Sequence, residues 1–231
     1  MKKKSKIVVV LGTRPEIIKT SALLRLLRTR GVDYRLIHTG QHFSYAMDRL
    51  FFKQLELPDP QFQLDMKSRP FEKRQAYVAR MQEAIRKILV REAPCAVLVQ
   101  GDTNSVLAGA MASRKVKGVL LGHIEAGLRS YDRSMPEEIN RIRTDHISDL
   151  LFAPTPGSKK ILLGEKISKK KIFVTGNTIV DAVIGARPVA RKKISLSRWV
   201  KPGEKFFLVT LHRQENVDSK FRLASILRGL D

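Results

Sequence analysis

The sequence predicts an α/β fold in which a parallel sheet is covered by helices on both faces. Apolar, β-rich segments recur at 7–11, 35–38, 96–100, 118–122, 150–153, 172–175 and 206–211. Most are separated by stretches with helical spacing, which is a βαβ rhythm. The segments are also near-continuously apolar rather than alternating, as strands buried on both faces are. With 231 residues and 43% apolar content, the chain can hold a substantial core in one large or two modest domains.

The first unit of this rhythm is VVVLGTRPEIIKTSALL, residues 8–24. The strand ends at Gly12, Arg14 is held extended by the proline after it, Pro15 suits the first helical position, and Lys19 follows one turn on. The turn is not a dinucleotide fingerprint, because Gly12 is its lone glycine, nor a Walker A loop, because Ile17 and Ile18 fill the stretch before Lys19. Two cations at a helix N-terminus suit an anion. The helix is apolar on two sides, with Leu23 and Leu26 on the side of Lys19 and Ile17 and Leu24 opposite, so an anionic partner for Lys19 is expected in preference to a solvated charge.

The second strand runs into His38-Thr-Gly-Gln-His42, where Gly40 argues against a helix and no zinc-binding spacing exists. A helix is predicted over 71–92, where Val78, Met81, Ile85 and Ile88 share a face. Cys95, between Pro94 and the third strand, reads as a buried structural thiol. Asp102 follows that strand and is either the cap of the next helix or a site carboxylate. After the fourth strand, GHIEAGLRS places Glu125 where no cap is needed. MPEEINRIRTDH then opens a helix at Pro136 and sets Glu137 and Arg141 four apart, the spacing of a helical salt bridge. The basic stretch 185–203, with Pro188 and Pro202, reads as a crossing into a second domain, giving domains at 1–184 and 185–231. That second part is expected to open with a strand in FFLVTLHRQEN, ending at His212, and to stop inside a helix. In parallel sheets ligands collect at the carboxyl ends of strands, so these polar clusters are expected to converge on one edge.

The formal charge is +22, yet the basic runs carry no interleaved aromatics and no RRM, KH, zinc-finger or homeodomain signature. Solvated basic faces, not nucleic-acid binding, are therefore expected. The longest apolar runs are too short to span a bilayer and the N-terminal MKKKS has no hydrophobic stretch after it, so neither a membrane nor a signal peptide is expected. One cysteine excludes an internal disulfide, and cytoplasm is the default. Taken together, several carboxylates and a histidine near two or three cations suggest acid–base chemistry on a substrate carrying a phosphate or diphosphate, with no metal or redox cofactor demanded.

The motifs GTRPEIIK, GDTNS, GHIEAGLRS, MPEEINR, TGNTIVDA and TLHRQEN, in this order, closely resemble the non-hydrolysing UDP-N-acetylglucosamine 2-epimerases. The resemblance implies two Rossmann-like domains in a GT-B arrangement, the N-terminal one complete here and the second only begun, since family members continue well past Asp231. It implies inversion at C2 of a UDP-sugar, by elimination of UDP to a 2-acetamidoglucal and re-addition from the other face. It implies Asp102, Glu125, Glu137 and His212 as catalytic residues, and Arg14, Lys19 and Arg141 as substrate-binding residues. It also implies no metal or other cofactor, a homodimer at full length, and a place in making units for surface polysaccharide or glycoprotein. The alternatives are an epimerase of a modified sugar, such as a UDP-2,3-diacetamido uronic acid, and a non-catalytic basic fragment that binds anions or nucleic acid.

Overall fold

Six of the seven apolar segments pair, together with one short unpredicted strand, into one sheet of seven parallel strands, in the order β3-β2-β1-β4-β5-β6-β7. The strands are β1 (Ile7–Leu11), β2 (Tyr34–His38), β3 (Phe62–Gln63), β4 (Ala96–Gln100), β5 (Leu120–Ile124), β6 (Leu150–Ala153) and β7 (Ile172–Val174). The structure is a computed structural model that describes residues 6–41, 45–67, 69–193, 199–201, 203–211 and 214–230. The helices that follow these strands are α1 (Arg14–Thr29), α2 (Tyr45–Gln54), α3 (Arg74–Glu92), α4 (Asn104–Ser113), α5 (Pro136–Ile147), α6 (Pro156–Gly164) and α7 (Thr178–Lys193), the last running past residue 187, where the first unit of the chain ends.

Strand alternation explains why the sheet is covered twice. Val8 and Val10 of β1 face a core shared with Val97 and Val99 and with Tyr77, Met81, Ile85 and Leu89 of α3. Val9 and Leu11 face the other side, where Ile17 and Leu24 of α1 and Phe52 of α2 cover them. The small-residue helix α4, NSVLAGAMAS, lies closest to the sheet. A Cβ on Gly109 would come within 3.1–3.2 Å of Val99 and Val10, a contact tight enough that these side chains would have to give by a few tenths of an ångström. The strand order reverses at β1, whose neighbours are β2 and β4. The turns after β1 and β4 therefore flank the switch-point crevice of a Rossmann-like sheet.

Several boundaries differ from expectation for identifiable reasons. β3 was not predicted, because a two-residue strand carries no pattern. The fourth predicted strand starts at 120 rather than 118, because Gly118 takes φ +75°, which an extended strand cannot use. The helix predicted over 71–92 begins at Arg74, after Phe71 at φ +60°. Cys95 is exposed, not buried: it precedes β4 at the N-terminal edge of the sheet, with its thiol donating to the Lys6 carbonyl.

Contacts divide the chain into units of 1–187 and 188–231. The second unit contains α8 (Gln214–Val217) and α9 (Lys220–Arg228), with Ser219 accepting from the Arg222 amide at the start of α9. Its residues 206–211 form no strand, and no other strand lies among the described residues of that unit to pair with them. A β-strand exists through its ladder, so the apolar pattern alone could not make one.

Candidate active site

Residues from four chain segments meet at the carboxyl edge of β1, β4 and β5. Gly12 leaves β1 where a Cβ would lie 1.9 Å from Ser105 Oγ and 2.4 Å from Thr39 Oγ1, so only glycine lets the β1–α1 and β4–α4 turns come this close. Thr13 is the N-cap of α1 and Arg14 its first residue, so Arg14 is helical rather than extended and Pro15 takes the second helical position instead of the first, where its missing N–H is still an unneeded donor. One turn into α1, Lys19 Nζ donates to both carboxylate oxygens of Glu125, at 2.9 and 2.7 Å. Gln100, the last residue of β4, donates to the same carboxylate. Glu125 sits at φ +72°, a left-handed conformation costly for a non-glycine residue, and its amide is held by the Phe152 carbonyl.

Asp102 does not cap the next helix. Thr103 is the N-cap of α4, its hydroxyl accepting from the Val106 amide, and the Asp102 carboxylate is instead paired with Arg141. The helical pair expected between Glu137 and Arg141 is replaced by a pair three apart, in which Arg141 donates to Glu138 at 2.6 Å. The reason is tertiary. Buried Glu138 accepts from the Ser130 and Tyr131 amides, fixing the loop before α5, and that draws Arg141 toward it and Asp102. Burial pushes the Glu138 carboxyl up, but these amides and Arg141 outweigh it and its pKa is lowered. Glu137 on the adjacent face is exposed and makes no ion pair or hydrogen bond among the described residues.

A cavity of about 400 Å³ opens between these turns, lined among others by Glu16, Lys19, Asp102, Asn104 and Glu137. Lys19, Asp102 and Glu137 thus face one space. Glu125 and Arg141 stand behind it, each one contact away through Lys19 and Asp102. Arg14 is outside the lining, and His212 lies outside the described residues.

Two supporting groups were not anticipated. Glu16, in the quoted GTRPEIIK, is fully buried and accepts from the Gly12 and Thr13 amides and from the Thr103 hydroxyl. Burial raises its pKa to about 7, with the Asp102 charge adding to the rise and the three hydrogen bonds opposing it. Its signal was present: Thr13-x-x-Glu16 is the spacing of a capping box. The second group is His123, whose Nδ1 lies 2.6 Å from Asp145 and whose Nε2 lies 2.8 Å from the Gly101 carbonyl, just before Asp102. Asp145 also pairs with Arg129 at 2.8 Å and accepts from the Gly127 amide. No local spacing announces these contacts, which join residues 16 to 22 apart.

The arrangement offers carboxylates open to a cavity, with a lysine beside them, suited to moving a proton on a substrate whose leaving group is an anion. The family model described as UDP-N-acetylglucosamine 2-epimerase matches residues 25–231. The chain is 48% identical over 228 residues to the UDP-N-acetylglucosamine 2-epimerase of Methanocaldococcus jannaschii, covering 97% of this chain and 61% of that protein. It is 40% identical to the UDP-2,3-diacetamido-2,3-dideoxy-D-glucuronate 2-epimerase of Pseudomonas aeruginosa, covering 98% and 62% respectively. Its fold matches the crystal structure of the M. jannaschii enzyme in complex with UDP-GlcNAc and UDP, with a TM-score of 0.84 over 97% of this chain. The chain therefore spans about three fifths of the length of these relatives.

Proposed function

The chain belongs to the UDP-N-acetylglucosamine 2-epimerase family, and on that premise we propose that it provides the sheet-side wall of an active site that inverts C2 of UDP-N-acetylglucosamine. The observation that carries this is the cavity at the switch point of the sheet, where Asp102 and Glu137 face Lys19. In the reaction, a carboxylate takes the C2 proton while the C1–O bond to UDP breaks, giving the 1,2-unsaturated 2-acetamidoglucal. UDP then adds back to C1 as a proton reaches C2 from the opposite face. Elimination needs a base and re-addition an acid across the ring, and both need a cation near the diphosphate.

In this reading Asp102, Glu125 and Glu137 are the carboxylates around the sugar, and Arg141 orients Asp102. Lys19 and Arg14 serve the diphosphate. Lys19 is already paired with Glu125, so an incoming diphosphate would share or displace that carboxylate, coupling substrate charge to the freedom of Glu125. His212 completes the set from the second part of the chain, which we read as the opening of a second Rossmann-like domain from residue 185 in a GT-B arrangement. The whole protein is proposed to act as a homodimer in the cytoplasm. Among the described residues no helix is long and apolar enough to cross a membrane.

Incubation with UDP-N-acetylglucosamine in D2O tests the reading, using the chain and a version extended over the rest of its relatives' length. Deuterium at C2 together with the mannosamine epimer is the expected result for the extended version, and absence of exchange there overturns it. Asp102→Asn and Glu125→Gln should each lower turnover by about a hundredfold or more while UDP still binds. Arg14→Ala should instead weaken UDP binding by about tenfold. The reverse pattern would exchange the two sets of roles. A second reading, favoured by the similarity to the P. aeruginosa enzyme, keeps the chemistry and changes the sugar to a diacetamido uronic acid. Running the same assay with that nucleotide sugar separates the two.

A further inference from the structure

Glu16 has no part in the chemistry above, yet it is among the most completely buried acids in the chain, at 2% exposure. Capping alone does not account for that. A glutamate at the third helical position completes a capping box by reaching back to the cap residue's amide, a role usually played at the surface. Here one carboxylate oxygen takes the Gly12 and Thr13 amides, while the other accepts the Thr103 hydroxyl, 87 residues away in sequence. Thr103 is itself the N-cap of α4 and immediately follows Asp102. A single side chain thus joins the caps of the two helices whose N-termini flank the cavity.

The cations of the site are committed elsewhere, Lys19 to Glu125 and Arg141 to Asp102 and Glu138. Glu16 is therefore held by neutral donors alone, an arrangement in which burial is not compensated by an opposite charge. Costs of this kind persist where surrounding structure over-determines a site.

We propose that Glu16 is a positioning residue, whose carboxyl clasps the β1–α1 turn to the β4–α4 turn and so fixes Asp102 relative to Lys19. Its effect on turnover rests on the epimerase reading, whereas its effect on the two turns does not. The clasp tolerates an amide in place of the acid. A glutamine at 16 can accept from the two backbone amides and donate to Thr103, whose hydroxyl reverses its direction.

The test compares E16A, E16Q, T103V and the E16A/T103V pair in the full chain by amide hydrogen exchange, and in the extended version by C2 deuterium incorporation. E16A should speed exchange tenfold or more at residues 12–13 and also at 102–106. It should lower kcat by tenfold or more with KM changed less than threefold, and E16Q should recover most of that loss. The double variant should be no slower than E16A, because either substitution opens the same clasp. Faster exchange confined to residues 12–16, with 102–106 unchanged, would reduce Glu16 to a local cap and overturn the proposal, as would kcat losses that multiply. If the unsubstituted protein incorporates no deuterium at C2, the epimerase reading fails, and the exchange pattern alone decides the clasp.

Discussion

Two buried acids, Glu16 lining the cavity and Asp145 outside its lining, are handled in opposite ways. Glu16 is surrounded by neutral donors, two amides and a hydroxyl, and burial drives its pKa up to about 7. Asp145 is equally enclosed, but His123 and Arg129 press against it, and although burial pushes its carboxyl up, these partners outweigh that and hold it below its ordinary value. Desolvation is the largest influence on both; what decides the sign is whether a cation is present. The Asp145 cluster is a self-sufficient structural knot, tying β5, the loop through Gly127 and Arg129, and Glu165 after α6. The Glu16 cluster stores a cost beside the site.

The largest effect should come from cutting the knot. Asp145→Asn leaves Arg129 and His123 buried beside a neutral partner, and should cost about 3–5 kcal/mol in urea unfolding at neutral pH. A loss under about 1 kcal/mol would mean that Glu165 alone satisfies Arg129.

The next effect has the opposite sign. A carboxyl whose folded pKa is raised from 4.5 to about 7 contributes stability that is whole below pH 4.5 and is lost as pH rises through about 7. Glu16→Gln removes that loss, so at about pH 8 the variant should be more stable than the parent by up to about 3 kcal/mol, with the advantage fading by pH 4.5. Asp145 gives the contrary slope: its stabilisation is present above its ordinary value of 3.8 and disappears as the acid range is entered. Unfolding curves for the parent, Asp145→Asn and Glu16→Gln from about pH 2 to 8 would separate the two slopes, that of Asp145 below about pH 4 and that of Glu16 above about pH 4.5; parallel curves would break the contrast. The smallest effect belongs to Thr103→Val, which removes the α4 cap and one donor to Glu16, at about 1–2 kcal/mol.

The parts of the molecule legible in its sequence are those set by local order. The βαβ rhythm gave most of the sheet unit, because its central strands β1 and β4 are largely apolar runs buried on two faces, and the polar residues after them fell at one edge by geometry alone. Lys19, Asp102 and Glu137 were legible in this way, since their positions follow from where a strand ends and a helix begins. Contacts made at a distance were not. Arg141 was expected to pair along its own helix with Glu137, but the loop at Ser130 and Tyr131 recruits Glu138 inward and takes Arg141 with it. Cys95 was read from its apolar neighbours as buried, although it stands just before β4 begins and is exposed there. Residues 206–211 have a strand's composition, yet composition cannot provide the neighbour that a ladder requires.

The ion pair between Lys19 and Glu125 joins residues 106 apart. On the ribosome, Lys19 is made long before its partner exists, and β4 must be threaded beside β1 before the two can meet. The pair has no local precursor, because no fragment ending short of β5 contains Glu125. Formation of this ion pair in the nascent chain therefore waits on completion of the sheet's centre.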